Sequence, residues 1–184
     1  MPEAARYDGR VRDVFERLER LSIPYYLTGS EALPCYGQPR QTMDIDIVID
    51  VTLADFGRVE AVFQPDFLVN PPVDFSGHVM ASVIPLSALG KADLILDRRD
   101  PWSRSAMERR RPWQHPLYGN IWVISLEDLI LAKLAWSEGT SELQMGDCRN
   151  LIAQNAGAID WTYLESWARS LGLAGLLDDV HAPR

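Results

Sequence analysis

Asp44 and Asp46 stand two residues apart in the run Asp44-Ile45-Asp46-Ile47-Val48-Ile49-Asp50. On a β-strand, residues two apart leave the same face, which places these two carboxylates about 6 to 7 Å apart along it. Ile45, Ile47 and Ile49 then point the other way, into a core. Two like charges held side by side repel unless a cation lies between them. A pair of divalent ions, which take oxygen ligands and accept bound phosphates, is the usual solution. A solvated strand face explains many Asp-x-Asp pairs, but a strand this apolar reads as central, where idle carboxylates are costly. A calcium loop of the EF-hand type is excluded: isoleucines fill the intervening positions and no glycine supplies the sharp turn.

Upstream, Tyr26-Leu27-Thr28-Gly29-Ser30 reads as a strand running into a glycine and a serine that open a helix. Backbone N–H groups and a positive helix end would face phosphate oxygens there, with the Ser30 hydroxyl as a further donor. Thirteen residues, Glu31 to Met43, separate this turn from the Asp pair, and the pairing is far more specific than either part alone. A third carboxylate is expected on a neighbouring strand. Asp93 and Asp97 in Lys91-Ala92-Asp93-Leu94-Ile95-Leu96-Asp97 share a face but lie roughly 13 Å apart, so one alone can join the pair. Asp93, at the head of the apolar run, is the choice, and Asp97 is read as strand-end solvation.

The elements that must position these residues follow from periodicity. Val11, Val14, Phe15, Leu18 and Leu21 recur at helical spacing and predict an amphipathic first helix ending near Ser22. Strands are expected at 25–28, 44–50, 79–84, 92–96 and 121–124, with a turn over 87–90. A short helix is expected from about Ser30 to Gly37, another from the Thr52 cap to Phe63, and a third between Pro101 and Pro112. Residues 64–75, with three prolines, read mostly as loop. From Ser125 on, the pattern is helical: a capped helix through Trp136, then 142–156 and 160–171. The fold class is therefore α+β, a small mixed sheet with flanking helices and a helical C-terminal part over 125–184 packed on a core over 1–124.

Bulk properties narrow the class. With 184 residues the chain suits one domain able to bury a sizeable core. A net charge of -8 argues against a protein coated in nucleic acid, although a local basic patch is compatible with it. Two cysteines without a CxxC pair exclude a disulfide scaffold or zinc site. The N-terminus lacks an apolar targeting core, and 121–136 is broken by Glu127, Asp128 and Lys133, so no membrane span and a cytoplasmic location are expected.

Thr28-Gly29-Ser30, Glu31-Ala32-Leu33 and Gly37-Gln38-Pro39-Arg40-Gln41-Thr42-Met43-Asp44-Ile45-Asp46-Ile47 together resemble the signature of the DNA polymerase β-like nucleotidyltransferase superfamily. The resemblance leans toward the AbiEii-type toxin branch. It continues in the Asp93 strand, in Ser125-Leu126-Glu127-Asp128-Leu129-Ile130-Leu131-Ala132-Lys133-Leu134, and at Asp147 in Met145-Gly146-Asp147-Cys148-Arg149. It implies a catalytic set of Asp44, Asp46, Asp93, Lys133 and Asp147. Gly29 and Ser30 would hold the triphosphate, and Asp44, Asp46 and Asp93 would bind Mg²⁺ or Mn²⁺, with Asp93 also the base. Lys133 would contact phosphate and Asp147 would support it. By their types alone, Lys133 reads as a snorkelling surface lysine and Asp147 as a cap. Gly29-Ser30 departs from the two glycines and threonine frequent in the toxin branch, and antibiotic- and protein-modifying branches also use glycine-serine.

The implied reaction moves a nucleoside monophosphate from an NTP to an acceptor hydroxyl. The acceptor stays open: a tRNA 3′ end in a toxin–antitoxin system with an antitoxin protein partner, a protein side chain, or a small molecule such as an aminoglycoside. A non-catalytic nucleotide-binding module is the reading from another class. Arg98, Arg99, Arg104, Arg109, Arg110 and Arg111, interleaved with Trp102 and Trp113, form the chain's concentrated positive charge and would serve an RNA backbone. A solvated helix accounts for them equally well. Arg110 and His115 match a ribonuclease-like spacing, but Pro112 breaks the helix that it needs.

Overall fold

Alternation makes Asp44–Ile49 a strand with Ile45, Ile47 and Ile49 essentially inaccessible and Asp44 exposed. This strand, β2, lies at the middle of one mixed sheet. The computed structural model describes the backbone of residues 4–40, 42, 44–87 and 90–182, and the side chains of those from residue 12 onward. Val11's side chain, Gln41, Met43 and the centre of the turn at 88–89 lie outside the described residues.

The strands are β1 (Tyr25–Thr28), β2, β3 (Phe67–Val69), β4 (Val73–Phe75), β5 (His78–Pro85), β6 (Lys91–Leu96), β7 (Arg111–His115) and β8 (Gly119–Val123). Their order across the sheet is β3-β5-β6-β2-β1-β8-β7, with β4 also on β5. β2 runs parallel to β6 and antiparallel to β1, and β1 runs parallel to β8. The helices are α1 (Ala4–Arg20), α2 (Phe56–Phe63), α3 (Pro101–Arg109), α4 (Leu126–Ser137), α5 (Glu142–Asn155), α6 (Trp161–Ser170) and α7 (Ala174–His181). Val14, Phe15 and Leu18 form the buried stripe of α1. The expected α+β class, a mixed sheet with flanking helices and a helical C-terminal part, is the one observed. Buried residues of α4 to α7, from Leu129 to Val180, belong to the same core as the sheet.

Three elements differ from the expectation. No helix opens at Ser30: residues 29–32 form a turn, and a single 3₁₀ turn follows at Leu33–Tyr36, closed by Gly37 at φ 80°. Pro34 and bonds of short span, such as Leu33 N–H to Ser30 O at 3.2 Å, keep it from propagating. Second, residues 64–75 contain β3 and β4, each three residues long, too short to show alternation. Third, β7 pairs with β8 alone and tolerates Pro112 because it is an edge strand. A further helix, α7, also lies beyond the predicted ones. The Ser125 cap is as expected, accepting from Asp128 N–H, whereas Thr52, accepting from Asp55 N–H, caps a 3₁₀ turn at Leu53–Asp55 and α2 begins only at Phe56. No described helix is long and apolar enough to cross a membrane.

Candidate active site

Register, more than any single strand, assembles the site. Thr28 of β1 is opposite Asp46 of β2, Asp46 opposite Asp93 of β6, and Asp93 opposite Ser82 of β5. These four polar residues form one row across the sheet face, with neighbouring strands about 4.8 Å apart. Two residues further along, Tyr26, Val48, Ile95 and Met80 make a second row, and it is apolar. On the other side of the polar row, Asp44 faces Lys91.

Gly29 sits directly against Asp46. Its backbone has φ +66°, and a Cβ there would fall 2.0 Å from Asp46 Oδ2 and 2.9 Å from Cγ. Glycine therefore answers a left-handed turn and a close approach at once. Burial, reinforced by the carboxylates of Asp93 and Asp44, pushes the Asp46 carboxyl up to about 6, against the opposing pull of Lys133 and Lys91. Asp93 is buried and accepts from Ser82 Oγ at 2.5 Å and from Lys91 Nζ at 2.8 Å. The same ammonium lies 3.9 Å from Asp44 Oδ2. Among the described residues, no three acidic, histidine or cysteine side chains close on one point.

Lys133 and Asp147, far apart in sequence, meet as a buried pair. Lys133 Nζ donates to Asp147 Oδ2 at 2.9 Å and to Gln144 Oε1 at 3.0 Å. Lys133 is thus no snorkelling surface lysine, since its ammonium ends inside the protein. Arg40 links this pair to the turn: its Nη2 donates to Ser30 Oγ and lies 3.8 Å from Asp147 Oδ2. Arg40 Nε is buried without a hydrogen-bond partner among the described residues. Sequence reasoning assigned no role to Arg40 or Lys91. The signal was present, since Arg40 is the one basic residue between Ser30 and Asp44, and Lys91 shares the face of Asp93.

A cleft of about 260 Å³ opens beside Gly29 and Asp46, between the sheet face and α4. Its walls are largely apolar: Phe75, Met80, Ile95, Leu129, Ala132 and Trp136. Trp136 is held by a stacked His78, ring centroids 4.6 Å apart, at the start of β5.

No protein-family model and no curated protein sequence matches the chain. Solved structures do match. An antigenic nucleotidyltransferase-like protein from Paracoccidioides brasiliensis superposes with a TM-score of 0.57 at 18% identity, over 96% of this chain and 94% of that one. ANT(2″)-Ia in complex with adenylyl-2″-tobramycin gives 0.60 at 14% identity, over 90% and 98%. The lincosamide antibiotic adenylyltransferase LnuA, lincomycin-bound, gives 0.52 at 15% identity, over 78% and 94%. The chain has the nucleotidyltransferase fold.

On this nucleotidyltransferase fold the arginine-rich segment is largely engaged with the protein itself. Arg98 pairs with Asp100 at 3.2 Å and Arg99 with Asp50 at 2.7 Å. Arg109 pairs with Glu127 at 2.8 Å and lies over the Tyr163 ring, while Arg110 donates to Met107 O and covers Trp122. Trp102 donates to the fully buried Asp128 at 3.0 Å, so it is no open stacking platform. Arg104 and Arg111 are exposed. His115 is buried and accepts at Nδ1 from Leu117 and Tyr118 N–H.

Proposed function

We propose that the chain transfers a nucleoside monophosphate from an NTP to a hydroxyl of a small acceptor molecule that carries an apolar face. The observation that carries this reading is the Asp46–Asp93 juxtaposition in register beside Gly29, on a nucleotidyltransferase fold. Asp44, Asp46 and Asp93 would hold Mg²⁺ or Mn²⁺. Their donor chemistry fits such a hard cation, and the site already draws one cation, the Lys91 ammonium, onto two of the three carboxylates. Burial first, and then the neighbouring carboxylates of Asp93 and Asp44, raise the Asp46 carboxyl, and a bound cation would offset both. When bound, such ions lower the acceptor hydroxyl's pKa and offset charge on the triphosphate.

The chain's own residues do the rest. The Gly29–Ser30 turn and Arg40, whose guanidinium already donates to Ser30 Oγ, receive the β- and γ-phosphates. Lys133 and Asp147 hold Arg40 and the turn from behind. The acceptor oxygen bonds to the α-phosphorus as the bond to pyrophosphate breaks, and its proton passes to Asp93. Ser82 orients that carboxylate.

The apolar second row and the Met80, Leu129 and Trp136 walls suit the body of a small acceptor. Two proteins of the same fold are seen with adenylyl-2″-tobramycin and with lincomycin. A tRNA 3′ end, with a toxin–antitoxin role and an antitoxin partner, is the second reading. It rests on the exposed Arg104 and Arg111 and is opposed by the net charge of -8. The test incubates the protein with each α-labelled NTP and Mg²⁺ or Mn²⁺, together with tobramycin, lincomycin or total tRNA. Label on a small molecule supports the proposal, and label on tRNA replaces the acceptor. No transfer to any of them removes the enzymatic reading.

A further inference from the structure

Lys91 and Asp93 are two apart on β6 and share its face, and the parallel register sets Lys91 directly across from Asp44. One ammonium therefore serves two carboxylates on adjacent strands, 2.8 Å from Asp93 Oδ2 and 3.9 Å from Asp44 Oδ2. The side chain is 38% exposed, so its head can retreat into water on its four-carbon stem. Lys133, the other lysine near Asp46, is 3% exposed and fixed by Asp147 and Gln144, with no such freedom. A divalent ion and an ammonium cannot occupy the same gap between Asp44 and Asp93, because the repulsion at contact distance in a partly buried site is severe.

We propose that Lys91 is a built-in counter-ion that stands in for the divalent cation between Asp44 and Asp93 and withdraws when that cation binds. Lys91 thereby sets how tightly the site holds its ion. The inference rests on the reading of Asp44, Asp46 and Asp93 as cation ligands. In the empty site the ammonium holds both carboxylates in place and limits their repulsion. Each cation that enters must first displace it, so part of the cation's binding free energy is consumed in the exchange. The ammonium released from the pair then stands at the rim of the site, free to meet an incoming phosphate.

The experiment uses Mn²⁺ alone, without nucleotide, on wild type, Lys91→Met, Lys91→Gln and Asp46→Asn, with binding followed by electron paramagnetic resonance and thermal unfolding followed with and without the ion. Lys91→Met should bind Mn²⁺ about fivefold or more tightly than wild type. It should also unfold at a lower temperature in chelator and recover more than wild type on adding Mn²⁺. Lys91→Gln, which keeps a hydrogen-bond donor to Asp93 without charge, should show the same gain in affinity and covers the case in which Lys91→Met folds poorly. If both variants bind Mn²⁺ no more tightly than wild type, the counter-ion role is overturned. The cation reading still stands in that case if Asp46→Asn abolishes wild-type binding. If neither wild type nor the Lys91 variants bind Mn²⁺, the cation reading falls and the counter-ion role falls with it.

Discussion

Gly29 and Asp46 fill each other's space: a side chain at residue 29 would begin 2.0 Å from the Asp46 carboxylate. Rotating that carboxylate would relieve the Oδ2 contact, yet Asp46 Cβ would still be 3.1 Å away and must give by a few tenths of an ångström. The turn that would receive phosphates and the carboxylate that would receive a cation are thus in direct contact.

Gly29→Ala should therefore damage both at once. The left-handed backbone alone costs about 1–2 kcal/mol for a residue with a Cβ, and Asp46 must also move. We expect a loss of stability of at least that size and a drop in NTP affinity of about tenfold or more, read by urea unfolding and calorimetry. An alanine variant that binds NTP normally would remove Gly29 from the site.

Asp46 makes stability depend on pH. Its folded value of about 6 lies above the usual 3.8, so the folded state holds this proton more tightly than the unfolded one. That contribution is complete below the unfolded value and is lost as pH rises through the folded one. Asp46→Asn should stabilise the cation-free protein by up to about 3 kcal/mol at about pH 7.5 and by almost nothing at about pH 4. Equal effects at both pH values in urea titrations with chelator would contradict the assignment.

The Lys133–Asp147 pair should show strong coupling. Lys133→Met leaves the buried Asp147, among the described residues, with Arg40 at 3.8 Å as its remaining cation, which should cost about 3–5 kcal/mol. Adding Asp147→Leu should recover part of that loss, so a double-mutant cycle is the measurement. Additive costs would mean that the two residues do not depend on each other.

Arg109 and its exposed neighbours should separate cleanly. Arg109→Ala deprives Glu127 and Asp128, both buried, of their shared guanidinium and should cost about 1–3 kcal/mol. Arg104→Ala and Arg111→Ala should leave stability within about 0.5 kcal/mol. If tRNA is bound, these two should flatten the salt dependence of binding by close to a unit each. Equal thermal shifts for all three variants would count against the division.

Trp136→Ala should raise KM for the acceptor about tenfold while KM for NTP stays put, because Trp136 belongs to the apolar wall of the cleft, which Arg40 does not line. A parallel rise in both would show that the cleft serves the nucleotide instead.

Local rules are enough for everything whose cause lies within a few residues. A period of two places Asp44 and Asp46 on one face and Ile45, Ile47 and Ile49 in the core, whatever the rest of the chain does. The Ser125 cap and the buried Val14, Phe15 and Leu18 of α1 are likewise short-range and appear as expected. At Ser30 local rules mislead, since Pro34 and Gly37 confine the segment to one 3₁₀ turn and leave no helix end behind the Gly29–Ser30 turn. Everything that joins distant segments was decided by tertiary structure. Strand register, set by long-range pairing, puts Asp93 opposite Asp46 and Lys91 opposite Asp44. Packing of α4 against α5 buries Lys133 against Asp147, and the loop between β1 and β2 folds Arg40 back onto Ser30. An arginine's charge is legible in sequence, but its partner is not. The free energy of an ion pair depends on which carboxylate the fold brings within reach, and here the fold turns Arg109 inward to Glu127 and leaves Arg104 and Arg111 at the surface.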